Sequence, residues 1–227
     1  MKKAGAVLAA ALALQVPAWA ATYTLNAPAY PAAAIANFTP PCTGAGACAD
    51  FTAAMQQSGS FTTAQPLAPG LNHADILAQI AASYSFSDGL TTYAGSDLNS
   101  HLLHAYVTTD AMGAITAVDF LISRWQTASQ GNGDPVDLWE LDADAWVVHN
   151  GVCAHTAAGG CTLLNGSPSS SMSQMYLPLQ TGAAWSMSNP VAPAPQSVPV
   201  DNPWALGLAA AGVLALARRR AAERRCA

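Results

Sequence analysis

From residue 51 to residue 179 the chain consists of short apolar stretches interleaved with polar residues and separated by turns containing Gly, Asp or Asn. A period near two with such punctuation predicts β-strands rather than helices. Residues 51–57 and 60–64 read as short strands joined at Gly59, and residues 80–86 and 90–93 flank Ser87-Asp88-Gly89. An Asp-Gly pair supplies the positive φ angles that a tight hairpin demands. The clearest hairpin has arms at 101–109 and 114–125 around the turn Asp110-Ala111-Met112-Gly113. On its second arm Thr116, Val118, Phe120, Ile122 and Arg124 share one face and Ile115, Ala117, Asp119 and Leu121 the other, which predicts a mostly buried central pair. Trp139, residues 146–149 and residues 175–179 offer further strands, and only residues 74–82 fit a short helix. About eight strands at these spacings predict an all-β domain, a β-sandwich, over residues 21–189.

The two ends have a different character. Lys2 and Lys3, the apolar residues 4–14 and Ala18-Trp19-Ala20 form the three parts of a secretory signal peptide, residues 1–20, with cleavage between Ala20 and Ala21 by signal peptidase. The apolar run of about 11 residues is too short for an anchor, since spanning needs about 20. Residues 190–200 are a Pro-rich extended linker, followed by a tail at 201–227. In that tail Pro203 opens a helix expected at 203–217, apolar throughout and ended by Arg218, Arg219 and Arg220. Residues 204–217 reach about 21 Å, short of the roughly 30 Å hydrocarbon core. Trp204 at one interface and snorkelling arginines at the other extend that reach and put the basic end in the cytoplasm.

The segment Val198-Pro199-Val200-Asp201-Asn202-Pro203-Trp204, with the apolar run and the arginines after it, resembles the PEP-CTERM and IPTL-CTERM sorting tails of Gram-negative bacteria. The Pro-Glu-Pro triplet of the first group is absent. The apolar-Pro start and the Trp five residues after Pro199 match the second group, of which this looks like a variant. The resemblance implies recognition by an exosortase-type membrane protease and removal of the tail. Residues 58–76, 83–93 and 107–120 also look like ectodomains of exosortase-sorted surface proteins, which implies a β-sandwich and carries no catalytic residues. The implied route runs from an inner-membrane intermediate, its ectodomain outside the cytoplasm, to the cell surface or the extracellular space.

Charge sharpens the picture of the middle. The chain has 8 Lys and Arg and 13 Asp and Glu. Arg124 is the one basic residue between residues 21 and 200, where eleven of the carboxylates lie. Such a surface repels phosphate backbones and excludes nucleic acid as a partner.

Four of the five cysteines form two close pairs, Cys42 with Cys48 and Cys153 with Cys161. Local disulfides fit these separations better than zinc knuckles of the Cys-x₂₋₄-Cys kind, and they suit an oxidising compartment. His101 and His104 are expected on opposite faces of a strand. His149 and His155 straddle Cys153 in an expected loop, within reach of Asp142 and Asp144. No His-Glu-x-x-His spacing and no Gly-x-Ser-x-Gly elbow occurs, and no cofactor is assigned. Asp134, Asp137, Glu140, Asp142 and Asp144 form an acidic run that offers calcium its preferred oxygen ligands without the twelve-residue calcium-loop pattern. Trp139 and Trp146 interleave with these acids, either as buried aromatics or as a pair that stacks on sugar rings.

Together these features describe a secreted or surface-anchored, non-enzymatic extracellular or matrix protein acting by adhesion or by association with extracellular polysaccharide. The alternatives are a secreted hydrolase with a carboxylate pair, and a calcium- or carbohydrate-binding module. A catalytic carboxylate pair would line a concave pocket at a separation of about 5 to 10 Å.

Overall fold

The computed structural model describes residues 20–165, 171–178 and 182–188. The chain divides into two compact units, Met1–Pro190 and Val191–Ala227, and every described residue belongs to the first. The expected signal peptide up to Trp19, the linker and the sorting tail with its helix lie outside the described residues. Among the described residues no helix is long and apolar enough to cross a membrane.

The strands in chain order are β1 (Ala21–Ala29), β2 (Ile35–Ala36), β3 (Gln56–Thr63), β4 (Ala74–Asp75), β5 (Tyr84–Ser87), β6 (Thr92–Ala94), β7 (Ser100–Thr109) and β8 (Ile115–Trp125). They continue with β9 (Pro135–Leu141), β10 (Ala145–Ala157), β11 (Gly160–Leu164), β12 (Ser173–Leu177) and β13 (Ala184–Ser188). One helical turn, α1 (Leu77–Ile80), falls inside the expected helix. The fold is all-β, with two antiparallel sheets. The smaller runs β13-β1-β3-β5-β6 and the larger β2-β12-β10-β9-β8-β7-β4, with β11 pairing the far half of β10.

The sheets meet through aromatic side chains. Phe86 on β5 stacks on Trp139 of β9 at 4.7 Å, and Phe61 on β3 meets Phe120 of β8 edge-on at 5.6 Å. Both contacts cross from one sheet to the other. Each such side chain, fully buried, stabilises the domain by roughly 2–3 kcal/mol. The alternation expected for β8 is present, with Phe120 and Ile122 buried against the smaller sheet and Asp119 and Leu121 turned outward and half-exposed.

The described residues hold thirteen strands where about eight were expected. β2 and β4 are two-residue edge pieces, too short to carry a period. β1 does alternate, burying Tyr23, Leu25 and Ala27, and its place directly after the expected signal peptide hid it. Gly59 also departs from expectation: it is no turn but lies within β3 at φ 141°, and a Cβ there would sit 2.5 Å from Phe86 Cα. The glycine allows β5 to approach, which is the usual reason for one inside a strand.

A bulge at Leu103 changes the histidine geometry. His101 pairs with Ser123 and His104 with Leu121, residues of one face of β8, so both histidines lie on the outer face rather than on opposite ones. One extra residue in one strand shifts every later side chain to the other face. Over the same outer face folds the β10–β11 hairpin. Trp125 Nε1 donates to the Gly159 carbonyl at 2.8 Å, and the Cys161 amide donates to Ser123 Oγ at 3.0 Å. Cys153 and Cys161, bonded to each other, join Trp125 and Val136 in a small second core. Cys42 and Cys48 close the other loop, also with Cα atoms 5.8 Å apart.

Candidate functional site

The acidic run does not assemble. An extended strand rises about 3.3 Å per residue, so β9 sets Asp134 and Asp142, which flank its two ends, roughly 26 Å apart. Asp134 caps the preceding loop by accepting from the Gly131 amide at 2.6 Å. Asp142 accepts from the Asp144 amide at 2.6 Å in the β9–β10 turn, and Asp144 accepts from Tyr176 Oη at 2.8 Å. Asp137 points into the layer between the sheets. Among the described residues no group of three or more His, Cys, Asp or Glu is arranged to hold a metal ion.

The two tryptophans part in the same way. Trp139 is fully buried, whereas Trp146, seven residues later and past the turn, faces outward. They therefore form no exposed pair. Trp146 instead lines a groove of about 480 Å³ on the outer face of the larger sheet. Register places Leu121, Glu140, Trp146 and Tyr176 side by side on β8, β9, β10 and β12. β11 overhangs this row with Thr162, Leu163 and Leu164, followed by Asn165. Leu138 and Met172 complete an apolar floor. Trp146 Nε1 donates to Gln174 Oε1 at 3.3 Å, which holds the indole edge while the half-buried side chain lines the groove.

Glu140 is the charged side chain of this groove. Its backbone carbonyl accepts from Gln57 Nε2 of the smaller sheet at 3.0 Å. Its carboxyl is pushed up by burial first, then by the negative charges of Asp142, Asp119 and Asp144. No Lys, Arg or His among the described residues forms an ion pair with it. The outer face is thus an aromatic and aliphatic trough with one poorly solvated carboxylate and amide and hydroxyl groups at its rim.

A second polar site closes one end of the inter-sheet layer. Asp137 Oδ1 accepts from Gln126 Nε2 at 2.5 Å and from the Asn150 amide at 3.1 Å, and His149 Nδ1 stands 3.0 Å away. Thr91 links this carboxylate to a second one. Its hydroxyl donates to Asp137 Oδ2 at 3.1 Å and its amide to Asp88 Oδ1 at 2.6 Å. Asp88 Oδ2 accepts from Tyr93 Oη at 2.8 Å. Burial pushes the Asp88 carboxyl up to about 6, although the Thr91, Tyr93 and Leu90 donors pull the other way. Burial disfavours the His149 imidazolium, yet the Asp137 carboxylate, with Asp88 behind it, raises it overall. Arg124 Nε binds Asp97 Oδ2 at 2.7 Å, with Nη1 3.9 Å from Asp137.

A cleft of about 600 Å³ reaches Asp137 and His149 beside the Cys42–Cys48 loop. Ala47 of that loop donates its amide to Gln126 Oε1 at 2.7 Å. Asp88 is fully buried behind Thr91 and does not line the cleft, so the two carboxylates do not face a shared substrate space.

His149 and His155 both lie on β10 rather than in a loop, and His149 turns to Asp137. His155 Nδ1 meets Thr162 Oγ1 at 3.1 Å. His104 Nε2 lies 2.7 Å from Asp119 Oδ1, with His73 Nε2 3.0 Å from the other oxygen, while His101 packs beneath Gly159 and Gly160. Sequence reasoning treated Asp88 only as a turn former and did not single out Thr91, Gln174 or Asn165. The apolar residues around Asp88-Gly89 were the available hint that its carboxyl is buried. Comparison with protein-family models, with curated proteins and with solved structures finds no match for this chain.

Proposed function

We propose that this chain is an exported, non-enzymatic surface or matrix protein, sorted through its C-terminal tail, whose β-domain associates with extracellular polysaccharide. The observation that carries the binding half is the outer-face groove, where Trp146 stands between Glu140 and Gln174 under the β11 overhang. An indole face beside hydrogen-bonding side chains suits a sugar ring, which offers an apolar C–H face and a polar edge. Two local disulfides and a first strand that begins at Ala21, the expected mature start, support the export half. The partners on that route are signal peptidase and an exosortase-type protease, with Val198, Pro199, Pro203, Trp204, Arg218, Arg219 and Arg220 as the sorting residues.

Two measurements test the proposal. Mass spectrometry of the exported product is expected to find a start near Ala21 and no residues 218–227; an intact C-terminus in secreted material overturns the sorting half. A glycan array probed with the purified protein is expected to show binding that Trp146→Ala removes. Binding that survives the substitution, or no binding at all, overturns the polysaccharide half.

A further inference from the structure

Resting on the polysaccharide reading, we infer that the Trp146 groove selects a cationic glycan, a polymer of amino sugars with free amines, over neutral or acidic ones. The groove combines two features that a protonated amino sugar answers together. Trp146 offers a ring face for the C–H side of the pyranose, and Glu140, its cross-strand neighbour on β9, offers a carboxylate beside that ring. Glu140 is half-buried in a groove that Leu121, Leu138 and Leu164 also line, without a cationic partner among the described residues. A carboxylate held against apolar side chains loses hydration, and an arriving ammonium restores the lost stabilisation by a charge-assisted hydrogen bond.

The surrounding charge points the same way. Asp119, Asp142 and Asp144 all act on Glu140 from the adjoining strand and turn. A polyanion would meet this field with no cation to receive it. Arg124, the one Lys or Arg among the described residues, is engaged by Asp97 on the other side of the larger sheet. The nearby histidines are held at Asp119, where His73 and His104 each face a carboxylate oxygen. A neutral glycan would use the indole and the Gln174 and Asn165 amides but would leave Glu140 unpaired.

The test measures Trp fluorescence and calorimetric binding of the purified full chain with three probes of equal length: glucosamine oligomers, N-acetylglucosamine oligomers and galacturonate oligomers. Binding is expected to be tightest for glucosamine oligomers by about tenfold or more, the scale of one charge-assisted contact. That margin is expected to shrink with added salt and as Glu140 is protonated at low pH. Glu140→Gln, an isosteric change at a partly exposed site, is expected to erase the preference by bringing glucosamine oligomers down to the affinity of the acetylated ones. If acetylated and free-amine oligomers bind alike, and Glu140→Gln changes neither, the charge selection is overturned and the polysaccharide reading stands. If no oligomer binds, both fall. Oligolysine of matching charge serves as the control: binding as tight as that of glucosamine, and insensitive to Trp146→Ala, overturns the sugar specificity in favour of plain electrostatic attraction.

Discussion

Asp137 Oδ1 lies 3.0 Å from His149 Nδ1 at the end of the inter-sheet layer, with both side chains almost wholly buried. The pair makes the domain's stability depend on pH in a definite direction. His149 is raised by Asp137, so the folded state binds its proton more tightly than the unfolded chain does. That contribution is complete below the ordinary imidazole range near 6.5 and is lost as pH climbs through the raised value. Asp88 acts in the same sense. Raised from 3.8 to about 6, it stabilises the fold fully below pH 3.8 and ceases to do so as pH rises through about 6. Asp97, held low, works in the opposite sense, its contribution present above 3.8 and lost below. The melting temperature is therefore expected to peak near pH 4 and to fall as pH rises, first through about 6 with Asp88 and then above 6.5 with His149. Asp88→Asn keeps the acceptor for the Leu90 and Thr91 amides and is expected to raise the melting temperature at pH 8 by several degrees, the scale of a gain of about 2 kcal/mol. A steeper fall in the variant than in the parent contradicts this account.

Gly59 tests the packing of the smaller sheet. Alanine there meets both an unfavourable φ of 141° and the backbone of Phe86. Gly59→Ala is expected to destabilise the domain by about 3 kcal/mol or more, since the obstruction is main chain and cannot rotate away. The neighbouring Ser60→Ala, on the same strand, serves as the control and is expected to change little. Urea unfolding of the two variants measures the difference, and equal midpoints refute the assigned close approach.

Peptide mapping without reduction is expected to recover Cys42 bonded to Cys48 and Cys153 to Cys161. Replacing Cys153 and Cys161 together by Ser removes a staple worth roughly 2–3 kcal/mol for so short a loop, along with part of the small core around Trp125. The result expected is a lower melting temperature and loss of amide protection at residues 160–164. Crossed pairs in the peptide map refute the local pairing.

Eleven carboxylates against Arg124 over residues 21–189 predict self-repulsion that salt relieves, so the melting temperature is expected to rise with ionic strength. Because β9 separates the acids of its run along its length and across its two faces, calcium is expected to act no better than magnesium at equal ionic strength. Asp142→Asn with Asp144→Asn is expected to leave that comparison unchanged. A saturable, calcium-specific rise lost in the double variant overturns the structural account of those residues.

Local chemistry determined much of this protein. Side-chain alternation marked the β7–β8 and β5–β6 hairpins, Asp-Gly marked a turn, and the short Cys separations marked both disulfides, because each depends on residues near one another in the chain. The lopsided charge was equally plain. What the sequence alone did not determine was which face of each strand meets the other sheet and where one extra residue interrupts a ladder. The bulge at Leu103 moved His104 to the side of His101, and Gly59 became a point of contact instead of a turn. Trp139 and Trp146 look alike in sequence, yet one fills the core against Phe86 and the other borders a groove roofed by β11. Glu140 and Asp137 lie three residues apart on a single strand and point to opposite faces, one into the outer groove and the other toward His149. Their fates were settled by strand register and sheet packing, which couple residues far apart in sequence and so leave no local signature.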